Sequence, residues 1–275
     1  MGFKLIQLDG VAVYQSELLT NSETVVHAVS TRQGGVSGGP WHSLNLAAHV
    51  GDVVEDVVEN RRRFCLGLGI DPNTLVTAKQ VHGDRVHLVT IADAGFGAKE
   101  YDTALDDTDA LITNVPGIGL ATFYADCVPL MIIDPVHGAI GMAHAGWKGT
   151  VAQIGPKTIQ AMHQAFGTEA KDCLVAIGPS IGPCCYEVDL PLIEVLKTKI
   201  SFADQVLYPN EKGNWQLDLW ETNRRLLVAA GVPTTQVEIA QVCTSCYADI
   251  LFSYRASGGK TGRIGAIMMI KESTK

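Results

Sequence analysis

The chain lacks any run of about eighteen uncharged apolar residues, which excludes a simple membrane-spanning helix. Its opening residues, MGFKLIQLDG, have no long apolar core and no small-residue cleavage site, so a signal peptide is not expected. Ile6 stands where a myristoylation signal has Ser or Thr, and the expected compartment is the cytoplasm. Basic runs are confined to Arg61-Arg62-Arg63, and a net charge of -8 argues against nonspecific nucleic-acid binding. No repeat, low-complexity tract or linker interrupts the 275 residues, and a hydrophobic content of 47% is too high for extended disorder. Residues 1–275 therefore read as one mixed α/β domain. The seven cysteines are odd in number and not spaced as a disulfide framework, leaving core, metal-ligand or reactive roles. Cys243 and Cys246 form a CxxC without a second such pair, a weak metal signal. The adjacent Cys184 and Cys185 do not easily face one metal and read as packing residues.

What is present concentrates in ADCVPLMIIDPVHGAIGMAHAGWKGT, residues 125–150. Two short apolar runs flank a Pro- and Gly-containing turn, the pattern of a β-hairpin. Pairing about a centre near Val136 sets Cys127 opposite His144 at the open end. A thiol beside an imidazole serves as nucleophile and base, or as two ligands of zinc or copper. Gly146 and Gly149 directly afterwards permit a close backbone approach.

Elsewhere, Val25–Ser30 reads as a strand feeding the glycine-rich loop TRQGGVSGGPWHSLNL, where Arg32 and Asn45 offer polar groups to a pocket. Asp52 with Glu55 three residues on resembles a capping box for a helix stopped by Gly67 and Gly69. Leu75–Val81 and Arg85–Thr90 read as strands around a turn holding His82, a candidate third ligand. Further strands are expected at 109–113, 119–125, 174–177, 237–242, 251–254 and 264–270. Helices are expected at 151–166, 189–199 and 218–230.

The segments TRQGGVSGGPWHSLNL, QVHGD, DALIT, ADCVPL, AHAGWKGT, IGPSIGPCCYEV and CTSC…FSYR resemble, in order, the YfiH family, also called the laccase-domain or multicopper polyphenol-oxidoreductase family. The resemblance implies a four-layer α-β-β-α sandwich and one metal, usually zinc with copper the other candidate, on His82, Cys127 and His144. It implies phosphorolysis of adenosine, inosine and methylthioadenosine, and deamination of adenosine, with purine nucleosides and phosphate as ligands. Two neutral imidazoles and a thiolate leave the ion a fourth position where water is acidified toward a pKa of ~7. On this reading Arg61 or Lys148, with Arg32, holds phosphate, and Asn45 orients the ribose or base. Lys148 departs from the family's usual arginine. The rivals are a copper-dependent polyphenol oxidase, a metal-free Cys127/His144 hydrolase, and a factor editing peptidoglycan precursors. Eight histidines are too few for a multicopper laccase.

Overall fold

The computed structural model describes residues 2–210 and 213–272. Strands β1 (Phe3–Leu8), β2 (Val11–Ser16) and β3 (Val25–Ser30) open the chain, with the one-turn helix α1 (Glu17–Thr20) before β3. Helix α2 (Val54–Gly67) precedes β4 (Leu75–Val76), β5 (Val86–Leu88), β6 (Ala110–Thr113) and β7 (Gly119–Tyr124). The hairpin of β8 (Val128–Asp134) and β9 (Ala139–Ala145) runs into helices α3 (Trp147–Val151) and α4 (Ile154–Phe166), then β10 (Leu174–Ile177). A small sheet of β11 (Glu187–Val188), β12 (Leu207–Pro209) and β13 (Trp215–Leu217) accompanies α5 (Leu190–Lys199). Helix α6 (Leu219–Ala229), β14 (Val237–Ile239), the short α7 (Tyr254–Ser257) and β15 (Ile264–Ile270) follow.

Two six-stranded sheets result, ordered β1-β2-β3-β15-β7-β4 and β14-β10-β8-β9-β6-β5. Side-chain alternation along β8 explains how they stack. Leu130 and Ile132 pack with Ile154, Ile159, Met162 and Leu227 of the helices, whereas Met131 and Ile133 pack with Leu120, Ala266 and Met268 of the other sheet. A strand covered on both faces must be apolar throughout, which is why VPLMII is one uninterrupted run. On the far side of the first sheet, Phe64 and Cys65 of α2 and Leu68 just after it pack on Val11, Val13, Ala28 and Ile267. The layers are thus helix, sheet, sheet, helix, the four-layer sandwich expected.

Several local expectations are corrected. Asp52 is not the helix cap: its carboxylate accepts hydrogen bonds from Ser37 Oγ at 2.6 Å and Asn45 Nδ2 at 2.8 Å, and Val53 occupies the cap position. The β8–β9 register pairs Pro129, not Cys127, with His144. Asp134 stays in the strand and its carboxylate accepts from Val136 N and His137 N, which moves the turn to residues 135–138. The helix expected over 151–166 is two helices, divided where Gln153 takes φ 62°. Residues 251–254 form no strand, because Leu251 and Phe252 fill the inter-sheet core and Ser253 caps α7. The strands around His82 shrink to Leu75–Val76 and Val86–Leu88.

His27 of β3 is 2% exposed, and its Nε2 accepts the Ser16 N–H at 3.0 Å. Burial pulls its pKa down to about 4, so the folded state keeps it neutral. The unfolded chain takes up that proton first as pH falls below about 6.5, so stability is complete above that pH and is lost progressively toward pH 4. The loss attributable to His27 is on the order of 3 kcal/mol. Urea titrations at pH 7.5 and 4.5 should show the wild type losing this much more stability than His27→Gln.

Candidate active site

The main-chain segments that cross between the two sheets meet at one end of the inter-sheet core. The loop from β4 to β5 carries His82, the turn from β7 to β8 carries Cys127, and the segment from β14 to β15 ends at Arg263. His144 lies on the same face of β9 as Ile140 and Met142, which look into the inter-sheet core, so its imidazole emerges at that end.

Asp109, 1% exposed and directly before β6, organises two of the three donors. Its carboxylate accepts the backbone N–H groups of Val81, His82 and Gly83 at 3.1, 2.9 and 2.7 Å. It also receives Nδ1–H of His144 at 2.9 Å. Burial pushes this carboxyl upward, but the His144 and backbone hydrogen bonds outweigh it and hold its pKa below the ordinary value. The tautomer of His144 is thereby fixed and its Nε2 is left to the site. Gln80 clamps the same loop to β7 through both main-chain groups of Phe123. His82, at φ 62°, turns its ring inward, 4.8 Å from that of His144 between centroids.

Cys127 follows Asp126, whose φ of 85° is held by three donors to its carboxylate: Thr244 Oγ1, Ser253 Oγ and Arg255 N. Burial raises the Cys127 thiol, but His144 and His82 facing it prevail and bring it down to about 6. The donor atoms of His82, Cys127 and His144 all lie within 4.8 Å of one another, a spread suited to one ion. Gly146 makes that spread attainable, since a Cβ there would stand 2.9 Å from Cys127 Sγ and 3.1 Å from His82 Cδ2. Gly146→Ala should therefore weaken metal affinity at least ~10-fold by displacing the ligands, with melting temperature little changed. A chelator competition measures it.

The three donors line a cavity of about 490 Å³, within the usual range for small-molecule sites. Phe123, Tyr186, Tyr254 and Trp147 supply apolar walls, and Arg255 and Arg263 supply charge. None of the four other sequence candidates lines it. Arg61 is 3% exposed and donates to the carbonyls of Leu46, Gly97 and Ala98. Arg32 donates to His42 O and Ala248 O. Lys148 lies in a separate groove with Lys157 and Lys199, on the far side of Trp147. Asn45 is fully buried, yet its Oδ1 accepts the Arg263 N–H at 2.8 Å and so sets a residue that does reach the cavity. Asp109, Asp126 and Arg263 are the contributors that sequence reasoning left without roles. An aspartate placed just before an apolar strand was the available signal for the first two.

A family model described as "Multi-copper polyphenol oxidoreductase laccase" matches residues 26–271. The chain belongs to that family. Among YfiH-family relatives, the purine nucleoside phosphorylase YlmD of Bacillus subtilis is 40% identical over 253 residues, 92% of this chain and 91% of that one. Adenosine deaminase RL5, from an unknown prokaryotic organism, is 34% identical, covering 86% of this chain and 91% of its own. The crystal structure of YlmD from Geobacillus stearothermophilus superposes with a TM-score of 0.91 at 37% identity, covering 98% of this chain and 99% of that one.

Proposed function

We propose that this YfiH-family protein is a zinc-dependent purine nucleoside enzyme. It splits adenosine, inosine or methylthioadenosine with phosphate and hydrolytically deaminates adenosine. The observation that carries this reading is the convergence of His82, Cys127 and His144 on a cavity with aromatic and arginine walls. The names of the relatives, phosphorylase and deaminase, point the same way. All seven cysteines are free, in keeping with action in the cytoplasm.

Two histidines and a thiolate suit zinc, which is borderline-soft and tolerates a three-protein-ligand set with an open position. The ion supplies Lewis acidity at that position. The residues of the chain do the rest. Asp109 keeps His144 in the ligating tautomer. Phe123 and Tyr186 give the purine an apolar wall. Arg263, half-buried and tethered by Nη1 donating to Thr261 O and Gly262 O, offers its guanidinium to phosphate. In phosphorolysis an oxygen of hydrogen phosphate attacks C1′, the bond to N9 breaks, the electron pair leaves with the base, and the proton given up by the phosphate goes to N7 of the base. In deamination water adds at C6 and ammonia departs.

A multicopper oxidase needs many more histidine ligands. Among the described residues one ligand group contains histidine, and it has two. Adenosine incubated with the zinc protein in phosphate should give adenine and ribose 1-phosphate beside inosine. Without phosphate it should give inosine only. Neither product by chromatography overturns the reading. Arg263→Gln should raise the KM for phosphate about tenfold without loss of zinc, while Lys148→Ala leaves turnover unchanged.

A further inference from the structure

The second concentration of soft donors lies outside the cavity. The loop after β10 and the loop after β14 pair through Ser180 N to Val242 O and Thr244 N to Ser180 O. This brings CC of the first loop against CxxC of the second. The Sγ atoms of Cys184, Cys185, Cys243 and Cys246 all lie within 4.8 Å of one another, and Cys184 and Cys185 each stand 3.5 Å from Cys246. The reading of the adjacent pair as packing residues that do not easily face one metal is corrected: Cys184 is exposed, and the turn at Gly182 brings both thiols to Cys246.

A disulfide requires sulfurs ~2.05 Å apart and would use two of the four. Zinc at ~2.3 Å from each of four thiolates sets them ~3.8 Å apart, close to what is found. Cys184 and Cys185 are equally near Cys246, so no disulfide partner is favoured, whereas a tetrahedron engages all four. A main-chain N–H already serves one sulfur: Gly182 N lies 3.3 Å from Cys243 Sγ.

We propose that Cys184, Cys185, Cys243 and Cys246 form a second metal site, a closed tetrathiolate that holds zinc. With all four positions filled by protein it has no place for substrate, so its role is to fasten loops. Those loops are walls of the cavity. Arg255 donates to Cys185 O at 2.8 Å and to Glu187 O at 3.0 Å, Tyr186 follows Cys185 directly, and Thr244 holds Asp126 beside Cys127. The inference does not depend on the nucleoside activity.

The test is metal stoichiometry on the full chain. Protein purified under reducing conditions with zinc should carry two ions, Cys127→Ser one, and Cys184→Ser/Cys246→Ser one. Cobalt added to metal-free Cys127→Ser should give the intense visible and near-ultraviolet bands of a four-sulfur tetrahedral site. A single wild-type ion that Cys127→Ser loses and Cys184→Ser/Cys246→Ser keeps, or cobalt bands lacking four-sulfur character, would overturn the proposal, whereas a single ion kept by Cys127→Ser would count against the first site instead. Should the double variant not fold, the wild-type count and the cobalt spectrum still decide.

Discussion

Replacing His82 by asparagine should abolish binding of the first metal and lower nucleoside turnover about 10³-fold, while melting temperature moves little. The rate loss follows from removing several kcal/mol of Lewis-acid stabilisation, at 1.36 kcal/mol per tenfold. Stability is spared because the loop is anchored through backbone N–H groups of residues 81–83 and through Gln80, not through the exposed ring. Asparagine is chosen because it tolerates the left-handed backbone at φ 62°, where alanine adds its own strain. The experiment separates chemistries as well as residues. A metal-free Cys127/His144 hydrolase would not use His82, so a His82→Asn protein with full turnover and no zinc would favour that dyad.

The parts of this molecule legible in the sequence are those decided by local burial. Strand β8 could be read because both its faces are covered, and α2 because its apolar positions recur at helical spacing toward one sheet. The donors Cys127 and His144 were legible because a hairpin brings its ends together whatever its register, even though the register differs from that expected. Partners distant in sequence were not. Arg61 looks like a pocket cation until its acceptors, Gly97 O and Ala98 O, appear some three dozen residues away. Nothing in AHAGWKGT tells which side of Trp147 receives Lys148. The run LFSY satisfies the same apolar criterion as a strand, and only the capping and Asp126 contacts of Ser253 make it end as a helix start.

Asp109 is where fold and chemistry are most tightly joined, and Asp109→Ala should have the broadest effect of any single change. One buried carboxylate accepts four hydrogen bonds, three from the turn that carries His82 and one from His144. Hydrogen bonds to a charged group each contribute about 1.5–3 kcal/mol, and their sum is not additive. Removing the acceptor leaves buried N–H groups unpaired, so a loss of about 3–5 kcal/mol in urea unfolding is expected for the metal-free protein. The metal should suffer too. With His144 free to rotate and His82 unanchored, zinc affinity should fall 10- to 100-fold beyond any effect on folding, as for other carboxylates behind a ligating histidine. Asp109→Asn distinguishes the two roles. Its oxygen can still accept from one side, but its NH₂ faces a donor, so stability should recover in part while affinity does not. If Asp109→Asn bound zinc as tightly as the wild type, the carboxylate would be only a structural plug for the turn, and the orientation of His144 would need another cause.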